Sequence, residues 1–172
     1  LGTEDAEESL LGPDGARLHD QLAAHRDDLV AAADWALGNG EVELARGCVL
    51  AVHFLARHRG PYSLSLGLLE RLVPRDPSPR VLLALGRVQA WMGAPDAEAL
   101  LQKAMEEPSL RGSALTELGF LAHRRGRPAE ADRLLSDAIR ERYDLELDLL
   151  ARTWDEFKSL HSRLIIDDEL LW

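Results

Sequence analysis

The sequence predicts an all-α fold, a right-handed superhelix of antiparallel helix pairs. Three observations lead there. Leu, Ala, Arg and Glu, which lose little freedom in a helix, are abundant, and the β-branched residues that suit strands are scarce. Gly60, Gly93 and Gly126 recur 33 residues apart, each followed within two residues by a proline, Pro61, Pro95 or Pro128. A leucine pair then comes after each turn, at Leu68-Leu69, Leu100-Leu101 and Leu134-Leu135. A period of this length marks a two-helix unit whose apolar faces are buried by stacking on neighbouring copies.

The unit reads as a helix, a Gly-Pro turn and a second helix. Glycine reaches the left-handed conformation that closes a helix, and proline suits the first turn of the next one. Residues 1–13 read as an N-terminal extension. Glu4, Asp5, Glu7 and Glu8 give it the opposite of a signal peptide's basic start. Because the first residue is not Met, a fragment or processed product of a larger protein is expected. N-terminal helices are expected over 14–40, as 14–24 and 25–37, with Gly38-Asn39-Gly40 closing the second. Three helix pairs are expected over 41–143: 41–58 with 62–73, 79–92 with 95–107, and 110–125 with 128–142. The proline-rich segment 74–79 reads as an extended connection inside the array. A capping helix is expected over 144–163 and an acidic-apolar tail over 164–172, so 1–172 form a single helical-repeat domain.

The clearest copy spans Ser113 to Tyr143, with Leu115, Leu118-Gly119, Ala122, Gly126, Pro128, Ala131, Leu135 and Ala138. The copy before it keeps Leu85-Gly86, Gly93, Ala97, Leu101 and Ala104, and the first is degenerate, with His53 where the packing glycine stands elsewhere. This register of small and large residues resembles the tetratricopeptide repeat, in which small residues let paired helices approach. The resemblance implies binding through a concave surface lined by the first helix of each pair. Carried onto this chain, that surface takes Leu50, Phe54, Arg57 and His58, then Arg80, Leu83, Arg87, Ala90 and Trp91, then Thr116, Phe120, His123 and Arg124. Phe54, Arg57, Arg80, Arg87, Trp91, Phe120, His123 and Arg124 form the candidate groove. Arginine forks bind carboxylates and aromatic rings offer apolar pockets, so the expected ligand is an acidic peptide or protein. The same arginines also suit a solvated surface paired with local acids. Arg87→Glu and Arg124→Glu are expected to abolish binding without unfolding the domain.

A second block reads Leu11-Gly12-Pro13-Asp14-Gly15, then Leu22, then Asp27-Asp28-Leu29, Ala31-Ala32 and Trp35-Ala36-Leu37. It resembles the junction that opens the repeat array in bacterial signal-transducing NTPases of the NB-ARC type, with Asp28 in place of Asn and Ala33 in place of Leu. This resemblance, which covers Leu11 to about Tyr143, implies a sensor arm that binds an inducer or partner and restrains an upstream ATPase.

The net charge of −10 argues against nucleic-acid binding by this domain. No apolar run reaches the ~18 residues of a membrane span, so no membrane partner is expected. No phosphate-binding glycine loop, Gly-x-Ser-x-Gly or His-Glu-x-x-His motif occurs. His25-Arg26-Asp27 matches a kinase catalytic loop only superficially, lacking its downstream Asn, the metal-binding Asp-Phe-Gly and a phosphate-binding loop, and reads as an exposed charged helix start. No two of the six histidines stand three or four apart, so no helix face carries a His pair for zinc. The lone Cys48, among Val49, Leu50 and Val52, reads as a small buried hydrophobe in a reducing, cytoplasmic protein. Trp35, Trp91 and Trp154 fall in helices, where packing is their ordinary role. The acidic-apolar segment Ile166 to Trp172 suits either docking in a neighbour's groove or casual packing. No enzyme, cofactor or metal is expected, and the oligomeric state is open. The expected function is a non-catalytic protein-interaction or sensor module of a larger signal-transducing regulator. The alternative is a small-molecule inducer-binding domain of an NTPase-type transcriptional regulator.

Overall fold

Glycine stops and proline starts cut the chain into short helices. The structure, a computed structural model, describes residues 15–143. These hold α1 (Gly15–Ala24), α2 (Arg26–Asn39), α3 (Val42–Arg59), α4 (Tyr62–Leu72), α5 (Pro79–Met92), α6 (Ala97–Ala104), α7 (Pro108–Arg124) and α8 (128–143). No strand occurs among the described residues, so the all-α expectation holds there. The expected capping helix and tail, Trp154 and the block up to Asp14 lie outside the described residues.

Three turns repeat one geometry. At Gly93 (φ 77°), the Ala94 amide donates to the Gln89 carbonyl at 2.9 Å, and at Gly126 (φ 71°) the Arg127 amide donates to Ala122 at 2.9 Å. Gly40 (φ 77°) closes α2 in the same way, through the Glu41 amide and the Ala36 carbonyl at 3.0 Å. This six-to-one bond satisfies carbonyls that the helix end would leave open, and it needs a left-handed residue. α2 therefore runs to Asn39, two residues past its expected end at 37. α6 is shorter than the expected 95–107, ending in a tight turn through Met105. α7 starts at Pro108, earlier than the expected 110, because proline is pre-shaped for the first turn of a helix. The connection after α4 is extended at Ser78 (ψ 148°), while residues 73–75 form a turn. Arg46 of α3 grips Asp76 there, while the Ser78 amide donates to Asp76 Oδ1 at 3.2 Å.

Each helix from α2 to α6 packs on the next, and α2 packs on α4, α3 on α5, and α5 on α7. α1 lies on α3. The core is accordingly strung along the chain. One cluster joins α2 to α5 through Ala36, Val49, Val52, Leu69, Leu72, Val81 and Val88. The other joins α5 to α7 through Leu83, Ala90, Leu101, Ala104, Ala114 and Leu118. α5 thus serves two cores and is buried over almost all of 81–90, Arg87 included.

Small residues set the helix spacing within pairs. A Cβ on Gly86 would meet Leu101 Cγ at 3.0 Å, and one on Gly119 would meet Leu135 Cγ at 2.7 Å. In the first pair His53 replaces that glycine and Ser65 replaces the alanine found at Ala97 and Ala131. Both are buried, with His53 Nδ1 3.0 Å from Ser65 Oγ, so a hydrogen bond stands where the other pairs have close approach.

Candidate functional site

α3, α5 and α7 are the first helices of the three pairs, and their predicted groove residues divide into two groups. The first is buried. Phe54 packs edge-on against His19 of α1, ring centroids 6.0 Å apart, and closes a small cluster with Leu22 and Leu55. Leu83 and Ala90 belong to the core. Arg87 is also buried, and its Nε donates to Glu117 Oε1 at 2.6 Å, with the two side chains 9 % and 11 % exposed. This corrects the expectation that Arg87 offers its fork to a ligand, because that fork already binds a carboxylate inside the protein. It also corrects the substitution forecast: Arg87→Glu would bury two carboxylates together and unfold the domain.

The second group reaches the surface. Trp91 is 56 % exposed, Phe120 is 51 % exposed, and His123 and Arg124 are exposed. Arg57, Arg80, Leu50 and Thr116 are half-buried, and Thr116 Oγ1 donates to its own helix at the Gly112 carbonyl, 2.9 Å. The His58 side chain lies outside the described part. Trp91 and Trp35, 58 % exposed on α2, depart from the packing role expected of them. A tryptophan on a helix satisfies the apolar period whichever way the helix is turned, so periodicity alone does not place it.

The structure joins Trp91 to two partners. Tyr62 of α4 stacks on it at 6.3 Å between ring centroids and 5° between planes. Arg124 of α7 sets its guanidinium carbon 5.4 Å from the indole centroid, and its Nη1 donates to the Trp91 carbonyl at 3.3 Å. Trp91 and Arg124 stand 33 residues apart, so they occupy one register position in successive pairs. Tyr62 escaped the sequence reading because it begins a second helix. Its signal was its place two residues after Gly60, where the turn returns the chain beside α3. The Tyr62 hydroxyl donates back to the Arg57 carbonyl at 3.3 Å. Glu117 was missed as well, although a lone acid between Leu115 and Leu118 on an apolar helix signals a buried charge needing a partner.

Charge around this cluster is uneven. Arg125 and Arg127 both reach Glu98, at 2.5 and 3.4 Å, and Arg127 also pairs with Glu130 at 2.8 Å. Arg111 pairs with Glu141 at 3.1 Å and Arg140 with Asp137 at 3.0 Å. Arg124 has no carboxylate partner among the described residues. Behind the surface, burial and the charges of Arg87 and Arg57 push His53 down to about 3, so it stays neutral at physiological pH. Its Nε2 has no hydrogen-bond partner among the described residues. Cys48 is buried in α3, and burial pushes its thiol pKa up, away from thiolate chemistry. Among the described residues, no group of three His, Cys, Asp or Glu is placed to hold a metal ion. No helix of the described residues is long and apolar enough to cross a membrane. Comparison with family models, with curated proteins and with solved structures finds no match for this chain.

Proposed function

We propose that this chain is a non-catalytic protein-binding module, a tetratricopeptide-like right-handed array that takes a peptide or protein segment along the exposed edge of α5 and α7. One observation carries the reading: half-buried Tyr62, exposed Trp91 and exposed Arg124 come together from three helix pairs, Trp91 and Arg124 at one register position, flanked by Phe120 and His123. Exposed aromatic and arginine side chains are the residue types that carry most binding energy in interfaces. The 33-residue period and the contacts between successive helices support the repeat part of the proposal. A cytoplasmic setting belongs to the same reading.

A second observation supports its proposed place in a larger protein. The block around Asp27 to Leu37 forms α2 near the start of the array, where Trp35 and Leu44 are exposed. That suits a sensor arm whose first helices lean on a preceding domain, as the NB-ARC resemblance implies. The test of the binding face is selection of a displayed peptide library on the full chain, followed by mapping of amide shifts with an enriched peptide. Shifts centred on Trp91, Phe120, His123 and Arg124 are expected. No enriched peptide, or shifts centred on α2 and α6, contradicts the proposal.

A further inference from the structure

Arg124 differs from its neighbours in how it is held. An exposed arginine is normally a mobile, solvated charge, or it leans on a nearby acid. Arg124 is fixed by the face and the carbonyl of Trp91, across a helix–helix boundary. In a chain carrying a net charge of −10, its sequence neighbours Arg125 and Arg127 are paired with Glu98 and Glu130. Arg124 keeps its charge uncompensated among the described residues. The dipole of α7 favours a positive charge in its last turn, but that preference does not seat the side chain on another helix's indole. One guanidinium N–H is used on the Trp91 carbonyl, and the rest of the five-donor fork remains for a ligand, already oriented.

The apolar half of the site lies beside it. Phe120 is four residues before Arg124 on α7, hence on the same helix face. It is half exposed, as are Trp91 and Met92 at the end of α5. We propose that Arg124, seated on Trp91, is a carboxylate-reading anchor, and that its ligand is a peptide with an acidic residue next to an aromatic or leucine side chain. This rests on the reading of the α5–α7 edge as a binding face and names the chemistry that face accepts. One open arginine suits one carboxylate. A polyphosphate chain needs a row of open charges, and Arg125 and Arg127 are already neutralised.

The test is fluorescence anisotropy on the full 172-residue chain. The probe is a labelled synthetic peptide, Ser-Asp-Glu-Phe-Asp-Glu-Leu-Ser-Gly, and the control replaces each acid by its amide. The acidic peptide is expected to bind and the amide peptide to bind at least about tenfold more weakly, as charge-assisted hydrogen bonds predict. Arg124→Gln should erase that difference, Arg124→Lys should keep part of it, and Arg140→Gln on α8 should leave it intact. Helicity and melting followed in parallel should stay near wild type, because Arg124 is exposed. Equal binding of both peptides, or an unchanged difference in Arg124→Gln, overturns the anchor while leaving the binding face itself standing. Binding of neither peptide also overturns it, and the library selection then decides separately whether the face binds peptides at all. Tighter binding of a single-stranded oligonucleotide of the same charge overturns it too.

Discussion

Arg87 and Glu117 form a buried ion pair between α5 and α7. Their ion pair bridges the second and third helix pairs inside the protein, where an unpaired charge is costly. Arg87→Ala should destabilise the chain by about 3–5 kcal/mol, whereas Arg87→Met with Glu117→Leu should recover most of that loss, since a well-packed apolar pair replaces buried charges at little cost. Urea unfolding of the three chains checks this, and equal stability of the single variant and wild type would contradict it. Two other residues govern acid stability. His53 is neutral in the fold with a value of about 3, below its ordinary 6.5. The unfolded chain therefore takes a proton that the folded chain refuses, and stability falls as pH drops from about 6.5 toward about 3. Burial opposes ionisation of Asp76, but hydrogen bonds from Arg46 and Ser78 outweigh it and hold its carboxyl below the usual range. That contribution is present at neutral pH and is lost as pH falls through the lowered value. His53→Gln should flatten the stability profile between pH 6.5 and 4 and leave the more acidic Asp76 limb. An unchanged profile contradicts the assignment.

Helix pairs are spaced by what they lack. Gly119→Ala should destabilise by about 1–3 kcal/mol, the usual cost of overpacking, because its Cβ would stand 2.7 Å from Leu135 Cγ. Gly67→Ala on α4 meets open space and should stabilise by about 0.5–1 kcal/mol through helix propensity alone. Thermal unfolding of both variants reads the sign, and the same sign for both would contradict the packing account. At this scale much was legible in the sequence. The left-handed turns at Gly93 and Gly126 and the close approaches at Gly86 and Gly119 all lie on the 33-residue period, because each is a backbone need that only glycine meets cheaply. Helix ends were less legible. A proline starts α7 in place, whereas Pro95 is followed by a turn before α6, and local sequence does not separate the two cases. The site was legible only in part. Trp91, Phe120, His123 and Arg124 reach the surface as the register implied, but Phe54 on α3 and Arg87 on α5 face inward. The register of one helix does not record which faces its neighbours cover, and Tyr62 enters from a helix the register never considered.

Across the whole molecule, the cores form along the chain, with α5 shared by both clusters, so the surface edge where α5 meets α7 is backed by packed side chains. A rigid backing lowers the ordering cost of binding there. The net charge of −10 repels an acidic ligand at long range, so the proposed recognition rests on local groups. Raising salt from low to physiological strength should therefore change binding of an acidic peptide only modestly, because screening weakens the global repulsion along with the local attraction. A loss of several hundredfold would mark a broad polyanion surface instead. The most direct measurement of the central claim is hydrogen exchange on the full chain, with and without a peptide enriched by selection. Slowed exchange concentrated in the C-terminal halves of α5 and α7 and the start of α4 is the predicted result. Slowed exchange confined to α2 and α6, with the α5–α7 edge unchanged, would contradict it.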